Sequence, residues 1–291
     1  MLDQLGSCFR EVLEFLYPVE FIKLERVSKG FKKKLSYILN SSFKHSLKQR
    51  YSNYLELYQT RYLFVPIKNQ LATFDLETFE IKRVENIRIP KKPVMCKLPF
   101  DRTFFLWANS VYKCFILDSN WEVKELPEPR SPMPGSCAVY YRNYVYVFGG
   151  FETQSECQRF NLETETWEPR SRIPTNAIHC SAVVYNHQIF IGTHFQKVLV
   201  YNPQQDSFQI SISLDDGSPF VCRIGNRLFF IVLFGVYEYI EDNWVCTKSY
   251  GKCLDLYWAP MEYKGWTYFY GRLKVYKFDG LNFQKVRYIE F

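Results

Sequence analysis

From about residue 54 to residue 291, the chain repeats one pattern of short apolar segments separated by polar turns. The clearest copy, residues 138–169, reads AVYYRNYVYVFGGFETQSECQRFNLETETWEP, and a second copy covers residues 182–208. Weaker copies begin at LELYQTRYLFVP, CKLPFDRTFFLW, VCRIGNRLFFIV and APMEYKGWTYFY. Short apolar segments bounded by turn residues predict β-strands, and each copy is long enough to contain four strands.

A bulky aromatic residue marks the predicted fourth strand of each copy. The markers follow one another at a mean spacing of about 41 residues: Phe79, Trp121, Trp167, Phe208, Trp244 and Phe283. The segment before each marker is interpreted as the turn between the third and fourth strands. FDLETF, ILDSNW, YIEDNW and FDGLNF are interpreted as one short turn, and FNLETETW and YNPQQDSF as the same turn with two residues added. Repeated four-stranded units of this length are typical of β-propeller blades, which bury their faces by stacking on each other. We therefore predict a mainly β fold, a six-bladed propeller over residues 54–291.

Two of the copies share an aromatic spacing, and one of them also has a double glycine. Phe160 precedes Trp167 by seven positions, and Tyr201 precedes Phe208 by the same interval. Gly149-Gly150 follows YVYVF in the first of these copies. With these residues the segment resembles the kelch repeat family. The resemblance implies a propeller that binds other proteins.

The first fifty residues follow a helical period instead. Phe9, Val12, Leu13 and Leu16 fall on one face of a helix, and Pro18 suits the start of a second helix. The apolar stripe continues to Leu35, which predicts three short helices within residues 1–42, followed by a helical linker at 43–53. So small a unit buries little surface of its own, and therefore we expect it to pack against a partner.

The segment EVLEFLYPVEFIKLERVSKGFKKKL resembles an F-box, the helical module that docks on the Skp-type adaptor of cullin-based ubiquitin ligases. The match includes the apolar pairs, a proline and the Val-Ser-Lys-x-Phe end; before it, Gln4-Leu5 stands where the family has Leu-Pro. The resemblance implies a set of adaptor-binding residues: Phe9, Val12, Leu13, Leu16, Pro18, Phe21, Ile22 and Leu24.

The charge pattern argues against a nucleic-acid or membrane protein. The formal net charge is +7, but residues 1–50 alone hold ten Lys or Arg and five Asp or Glu. A uniformly basic surface is therefore not expected. Lys32, Lys33 and Lys34 are interpreted as a solvated helix face, with nuclear import or an acidic partner as alternatives. The longest apolar run, 228–234, is far shorter than the roughly 20 residues that span a bilayer. We expect a cytoplasmic protein, with the nucleus as the alternative.

No arrangement of residues predicts catalysis or a cofactor. The nine cysteines form no CxxC pair, and no GxSxG or phosphate-binding loop motif occurs. Cys96, Cys137, Cys180 and Cys222 recur near the first strand of four copies, where we interpret them as small packing residues. The sequence predicts no catalytic residue, no metal site and no cofactor.

Long loops predict a binding face at one end of the propeller. Segments 125–136, 150–156 and 168–179 all connect strands at the same end, and loop-rich faces commonly bind partners. Arginine and aromatic residues are typical anchors of interfaces. The candidate target-binding residues are Arg130, Phe151, Arg170 and Arg172.

Together these patterns favour a non-catalytic substrate receptor of a cullin-based ubiquitin ligase, with an adaptor on the helices and a target protein on the propeller. One alternative is a kelch-type scaffold for a cytoskeletal or signalling partner, without a link to a ligase. A weaker alternative is an oxidase-type propeller, which would need ligand histidines; the chain has four histidines in all.

Overall fold

The structure is a computed structural model. It describes residues 62–67, 70–88, 93–99, 102–108, 112–118, 121–131, 133–193, 197–213, 220–232, 235–249, 260–271 and 274–288. All of them lie within one compact unit, Gln59–Phe291. The predicted helical module at 1–42, its adaptor-binding residues and the linker at 43–53 lie outside the described residues.

The described residues form 23 β-strands and no helix. Blade 1 contains β1 (Tyr62–Ile67), β2 (Gln70–Asp75) and β3 (Ile81–Arg88). Blade 2 contains β4 (Val94–Lys97), β5 (Thr103–Ala108), β6 (Tyr112–Leu117) and β7 (Val123–Leu126). Blade 3 contains β8 (Cys137–Tyr141), β9 (Tyr144–Phe148), β10 (Cys157–Asn161) and β11 (Thr166–Pro169). Blade 4 contains β12 (Ser181–Tyr185), β13 (Gln188–Thr193), β14 (Lys197–Asn202) and β15 (Ser207–Ser213). Blade 5 contains β16 (Phe220–Ile224), β17 (Arg227–Ile231), β18 (Gly235–Ile240) and β19 (Asn243–Ser249). Blade 6 contains β20 (Met261–Tyr263), β21 (Trp266–Gly271), β22 (Lys274–Phe278) and β23 (Phe283–Tyr288).

Each blade is one antiparallel sheet whose strands follow in chain order. The first strands of blades 2 to 6 are the innermost, because β4, β8, β12, β16 and β20 contact one another in that order. The three described strands of blade 1 correspond to the second, third and fourth strands of the other blades. The residues before Tyr62 lie outside the described part.

Six apolar clusters hold the ring together, one at each junction between neighbouring blades. They join blades 1 and 2, 2 and 3, 3 and 4, 4 and 5, 5 and 6, and 6 and 1. Strand β9 shows why both faces must be apolar: Val145 and Val147 pack toward blade 2, whereas Tyr146 and Phe148 pack toward blade 4. The prediction of a mainly β, six-bladed propeller is confirmed.

Side chains also close the ring between its last and first blades. The Tyr263 hydroxyl donates a hydrogen bond to Glu77 Oε1 at 2.7 Å. Lys264 forms an ion pair with the same carboxylate, and Arg287 donates to the carbonyl oxygen of Phe79. Polar contacts thus reinforce the apolar cluster at this junction.

The interpretation of the turns before the aromatic markers is wrong for the first blade. Phe74 pairs with Ile81, at the same separation as Phe160 with Trp167. The marker Phe79 therefore stands two positions earlier than Trp167 does, at the end of the turn, with a φ of 58°. It still packs beside Phe74, with ring centroids 6.0 Å apart.

Trp121 stands at the corresponding turn position in blade 2, where its ring lies beside Tyr62 and Phe64 of blade 1. Its φ is 66°, and Val123, two positions later, is the residue that pairs with Leu117.

The turns of blades 1 and 3 have the same geometry because each begins with a side chain that accepts a backbone N–H two positions later. Asp75 Oδ1 accepts the N–H of Glu77 at 2.9 Å in blade 1, and Asn161 Oδ1 accepts that of Glu163 at 2.9 Å in blade 3. Such a turn tolerates an aromatic side chain at its last position.

Candidate functional site

Three loop segments meet at one end of blade 3 and form the candidate site, here called the blade-3 platform. They are residues 127–136 between β7 and β8, residues 149–156 between β9 and β10, and residues 170–180 between β11 and β12. Residue 132 is outside the described part. All three segments connect strands at the same end of their sheets, as the sequence predicts.

Backbone hydrogen bonds join the three segments to one another. Five such bonds, each 2.8–2.9 Å long, link Phe151 N to Pro134 O, His179 N to Gly135 O, Gly150 N to Ala177 O, Ala177 N to Gln154 O, and Ile173 N to Ser155 O. Loops held by this many backbone bonds lose little conformational entropy when they bind a partner. The platform is therefore a preorganised surface.

The double glycine of the kelch-like motif makes this packing sterically possible. Gly149 and Gly150 have φ values of 68° and 129°, which disfavour residues with a side chain. A Cβ on Gly149 would lie only 1.8 Å from the carbonyl oxygen of Ala177. The connector at 170–180 can approach the end of β9 only because no side chain is present there.

Phe151 is the most exposed large apolar residue of the platform, with 46% of its surface accessible. Its ring meets the His179 ring edge-on, with centroids 4.7 Å apart and planes at 88°. The ring also lies against Gly135, where an added Cβ would come within 2.7 Å of Phe151 Cε2. Phe151 is thus an aromatic side chain that packs against His179 and Gly135 on one side and is open to solvent on the other.

The three candidate arginines have different surroundings. Arg130 and Arg172 are exposed on the platform, and the backbone N–H of Arg130 donates to Gln158 Oε1 at 3.2 Å. Arg170 is half-buried between blades 3 and 4, where its Nε donates to the Tyr201 hydroxyl at 3.2 Å. The same Nε lies 3.3 Å from Asp206 Oδ1. The structure therefore places Arg170 in an inter-blade ion pair rather than on the open surface.

Asp206 is the acceptor at the centre of this inter-blade contact. Partial burial acts to raise the pKa of its carboxyl, but hydrogen bonds from Tyr201 and from Ser171, together with the charge of Arg170, lower the pKa below its ordinary value. The Tyr201 hydroxyl donates at 2.7 Å, and Ser171 N donates at 3.0 Å to Oδ1. These contacts attach the start of the 170–180 connector to blade 4.

A polar network below the platform was not anticipated from the sequence. Gln158 is 3% exposed on β10, and its Nε2 donates to Ser131 Oγ at 2.7 Å and contacts Met133 Sδ at 3.7 Å. The Ser131 hydroxyl in turn donates to the Glu156 carboxylate. The only sequence signal was a glutamine at a core-facing position of a strand, which does not reveal its partners.

Of the four cysteines that the sequence predicts as packing residues, three lie in the core. Cys96, Cys137 and Cys222 are buried and Cys180 is half-buried. Burial raises the pKa of the Cys96, Cys137 and Cys222 thiols above the ordinary value. Within the described part of the chain, no three His, Cys, Asp or Glu side chains come together as a metal site requires. No helix in the described ranges is long and apolar enough to cross a membrane.

The ring and its platform define a six-bladed β-propeller with one end built from long, hydrogen-bonded segments. No family model matches the chain. The chain is similar to Kelch-like protein 23 of Mus musculus, with 29% identity over 90 residues, covering 28% of this chain and 16% of the relative. Kelch-like protein 23 of Homo sapiens gives the same identity and coverage. The chain thus matches only about a sixth of the length of these curated relatives. With the six-bladed ring, this similarity supports a propeller of the kelch type.

Proposed function

We propose that this chain is a non-catalytic substrate receptor of a cullin-based ubiquitin ligase. The propeller binds a target protein through the blade-3 platform. The helical module at 1–42 holds a Skp-type adaptor, and other subunits transfer the ubiquitin. The observation that carries the proposal is Phe151, an exposed aromatic anchor held where three hydrogen-bonded segments meet.

The surroundings of Phe151 support its role as an anchor. Interfaces concentrate their binding energy in a few aromatic and arginine side chains near the centre. Phe151 has a rigid base formed by His179 and Gly135, and Arg130 and Arg172 are exposed on the same platform. Arg170 contributes indirectly, because its pair with Asp206 holds one of the three segments in place.

The adaptor half of the proposal depends on the amino-acid pattern. The F-box-like residues Val12-Leu13, Leu16, Pro18 and Phe21-Ile22 stand at the spacing of the family. A short helical module with this many apolar residues has more apolar surface than its own small core can bury. A partner that covers the remainder would join the propeller to a ligase.

Affinity purification of the tagged full chain from its own cells tests the target-binding half. We expect Phe151→Ala to lose the co-purifying target while retaining the adaptor and an unchanged melting temperature. Ile240→Ala is the matched control, because Ile240 is an apolar residue 43% exposed at the opposite end of the ring. The proposal is wrong about the platform if both variants retain the target equally. If targets bind but no adaptor does, the scaffold function replaces the ligase function.

A further inference from the structure

Ser131 combines a recognition sequence with an unusual structural position. The chain has two Ser-Pro dipeptides, at Ser131 and Ser218, and Ser131 lies on the described blade-3 platform. A proline in the next position biases the serine toward an extended backbone, in which protein kinases bind their substrates. Ser131 is half-buried beside the exposed Arg130.

The Ser131 hydroxyl is bonded to the residue that closes the Phe151 loop. It donates to Glu156 Oε2 and accepts from Gln158 Nε2 at 2.7 Å. Glu156 closes that loop with its own backbone, because its carbonyl accepts Gly149 N at 2.8 Å and its N–H donates to Thr153 O at 2.8 Å. The Ser131 hydroxyl is therefore linked through Glu156 to the loop that presents Phe151.

We propose that Ser131 is a phosphorylation site for a proline-directed serine/threonine kinase, and that the phosphate opens the blade-3 platform. In the reaction, Ser131 Oγ attacks the γ-phosphorus of ATP and the bond to the β-phosphate oxygen breaks. ADP leaves, and the hydroxyl proton passes to the catalytic carboxylate of the kinase. The kinase acts while the connector at 127–136 is locally detached, which a surface segment can do without global unfolding.

Electrostatics explains why the detached form would persist after phosphorylation. The phosphate carries about −1.5 to −2 charges at pH 7 and has lost the hydrogen that Ser131 donates to Glu156. In the closed platform it would face the Glu156 carboxylate in a partly buried position, where like charges repel more strongly than in water. Gln158 Nε2 already lies 2.7 Å from Ser131 Oγ and 3.5 Å from Glu156 Oε2. A neutral amide shared between the phosphate and the carboxylate does not offset the repulsion between two negative charges. The phosphate instead favours the solvent side, near the exposed Arg130.

Only the effect of Ser131 phosphorylation on target binding rests on the proposed function. If the blade-3 platform binds the target, phosphorylation of Ser131 weakens that binding by releasing Phe151 from its fixed position. Phosphorylation and loop opening are both measurable on the full chain without any target. Failure to find a target would therefore count against the proposed function and not against the phosphorylation site.

The first experiment measures phosphate transfer from ATP to the purified full chain by a proline-directed kinase. In a Ser218→Ala background, which removes the second Ser-Pro site, we expect one phosphate per chain. Ser131→Ala should abolish it. Pro132→Ala retains the hydroxyl but removes the recognition residue, and it should reduce the rate at least about tenfold. Equal incorporation into Ser131→Ala overturns the assignment, and so does absence of incorporation into the parent.

The second experiment measures amide hydrogen exchange across residues 149–156 before and after phosphorylation. We expect exchange at Gly149, Phe151 and Glu156 to accelerate about tenfold, the effect of losing a hydrogen bond to a charged group. Glu156→Gln removes the repulsion, so phosphorylation of that variant should change exchange much less. Unchanged exchange in the phosphorylated parent, or equal acceleration in both proteins, overturns the proposed mechanism.

Discussion

At the scale of single residues, the packed aromatic Trp167 shows how one side chain joins two blades. It is 8% exposed and belongs to the cluster between blades 2 and 3. Its ring lies beside Phe160, with centroids 5.2 Å apart, and beside Phe104 of blade 2 at 6.2 Å. Its Nε1 donates to the carbonyl oxygen of Pro127 at 2.8 Å. One residue thus contributes apolar packing and a hydrogen bond to the platform connector.

Replacing Trp167 with Ala should therefore lower the free energy of unfolding by about 3–5 kcal/mol, the usual cost of removing a buried aromatic ring. Urea denaturation of the purified chain measures the change. Trp167→Phe is the control, because it retains a ring between the blades and loses the hydrogen bond to Pro127. A denaturation midpoint that hardly moves in Trp167→Ala would mean that the ring does not support the junction.

Gly149 offers a second test at single-residue scale, with a matched control elsewhere in the ring. Gly149→Ala should destabilise the protein strongly, because its φ is positive and its Cβ would overlap Ala177 O. Gly225 has a φ of 57° but no atom within 4 Å of an added Cβ. Gly225→Ala should therefore lose only about 1–2 kcal/mol from backbone strain. Equal shifts in the melting temperatures of the two variants would contradict the close approach at Gly149.

At the scale of structural elements, the contact between a connector and the next blade holds the platform in place. The connector at 170–180 begins with Arg170 and Ser171, and both contact Asp206 in the β14–β15 turn. Its later residues contact the β9–β10 loop through Ala177. The connector is therefore fixed at two points, on blade 4 and on its own blade.

The lowered pKa of Asp206 predicts a pH dependence of this connector. A carboxyl with a depressed folded-state pKa stabilises the fold above its unfolded value, about 3.9, and this stabilisation is lost as pH falls through the folded-state pKa. Asp206→Asn should be less stable than the parent at pH 7, and the difference should shrink below about pH 4. Urea midpoints measured from pH 7 to pH 2 give the comparison. Tyr201→Phe removes one donor to the carboxylate and should show part of the effect. A difference between the urea midpoints of the parent and Asp206→Asn that does not depend on pH would refute the ion pair.

At the scale of the whole molecule, function depends on a closed ring that leaves one end with long, hydrogen-bonded segments. The six apolar clusters make every blade a neighbour of two others. A ring of this kind holds its loops rigidly because no blade has an open face. The proposed receptor needs this rigidity at the propeller and a second binding surface in the helical module.

The second surface is tested by changing its apolar residues. Leu16 and Phe21, changed together to Ala, should abolish co-purification of a Skp-type adaptor while leaving the melting of the propeller unchanged. Changing Lys32, Lys33 and Lys34 to Gln should reduce adaptor binding only slightly, because rim charges affect encounter more than affinity. If the parent protein captures no adaptor from its own cells, the ligase half of the proposal fails.

The amino-acid sequence alone determined the number of blades, the end with the long loops and the exposed aromatic on it. These features follow from local patterns: a strand alternates every two residues, and a turn needs particular residues, so Gly149-Gly150 and Phe151 were recognisable directly. The adaptor-binding residues stay a prediction from the same kind of pattern. The spacing of the aromatic markers predicted the correct number of blades. It did so although Phe79 and Trp121 stand two positions before the residues that pair with the third strand, because the number of blades depends on the spacing of the repeats and not on strand register.

Only the tertiary structure decided which side chains meet across segments. Arg170 pairs with Asp206 and Ser131 with Glu156, partners that lie 36 and 25 positions away in the sequence. Such pairs depend on how each blade twists and how it stacks on the next blade. Twist and stacking are set by many weak contacts along the whole sheet. No short stretch of sequence contains that information, and so the arginine predicted for the open surface proved to be part of the junction between two blades.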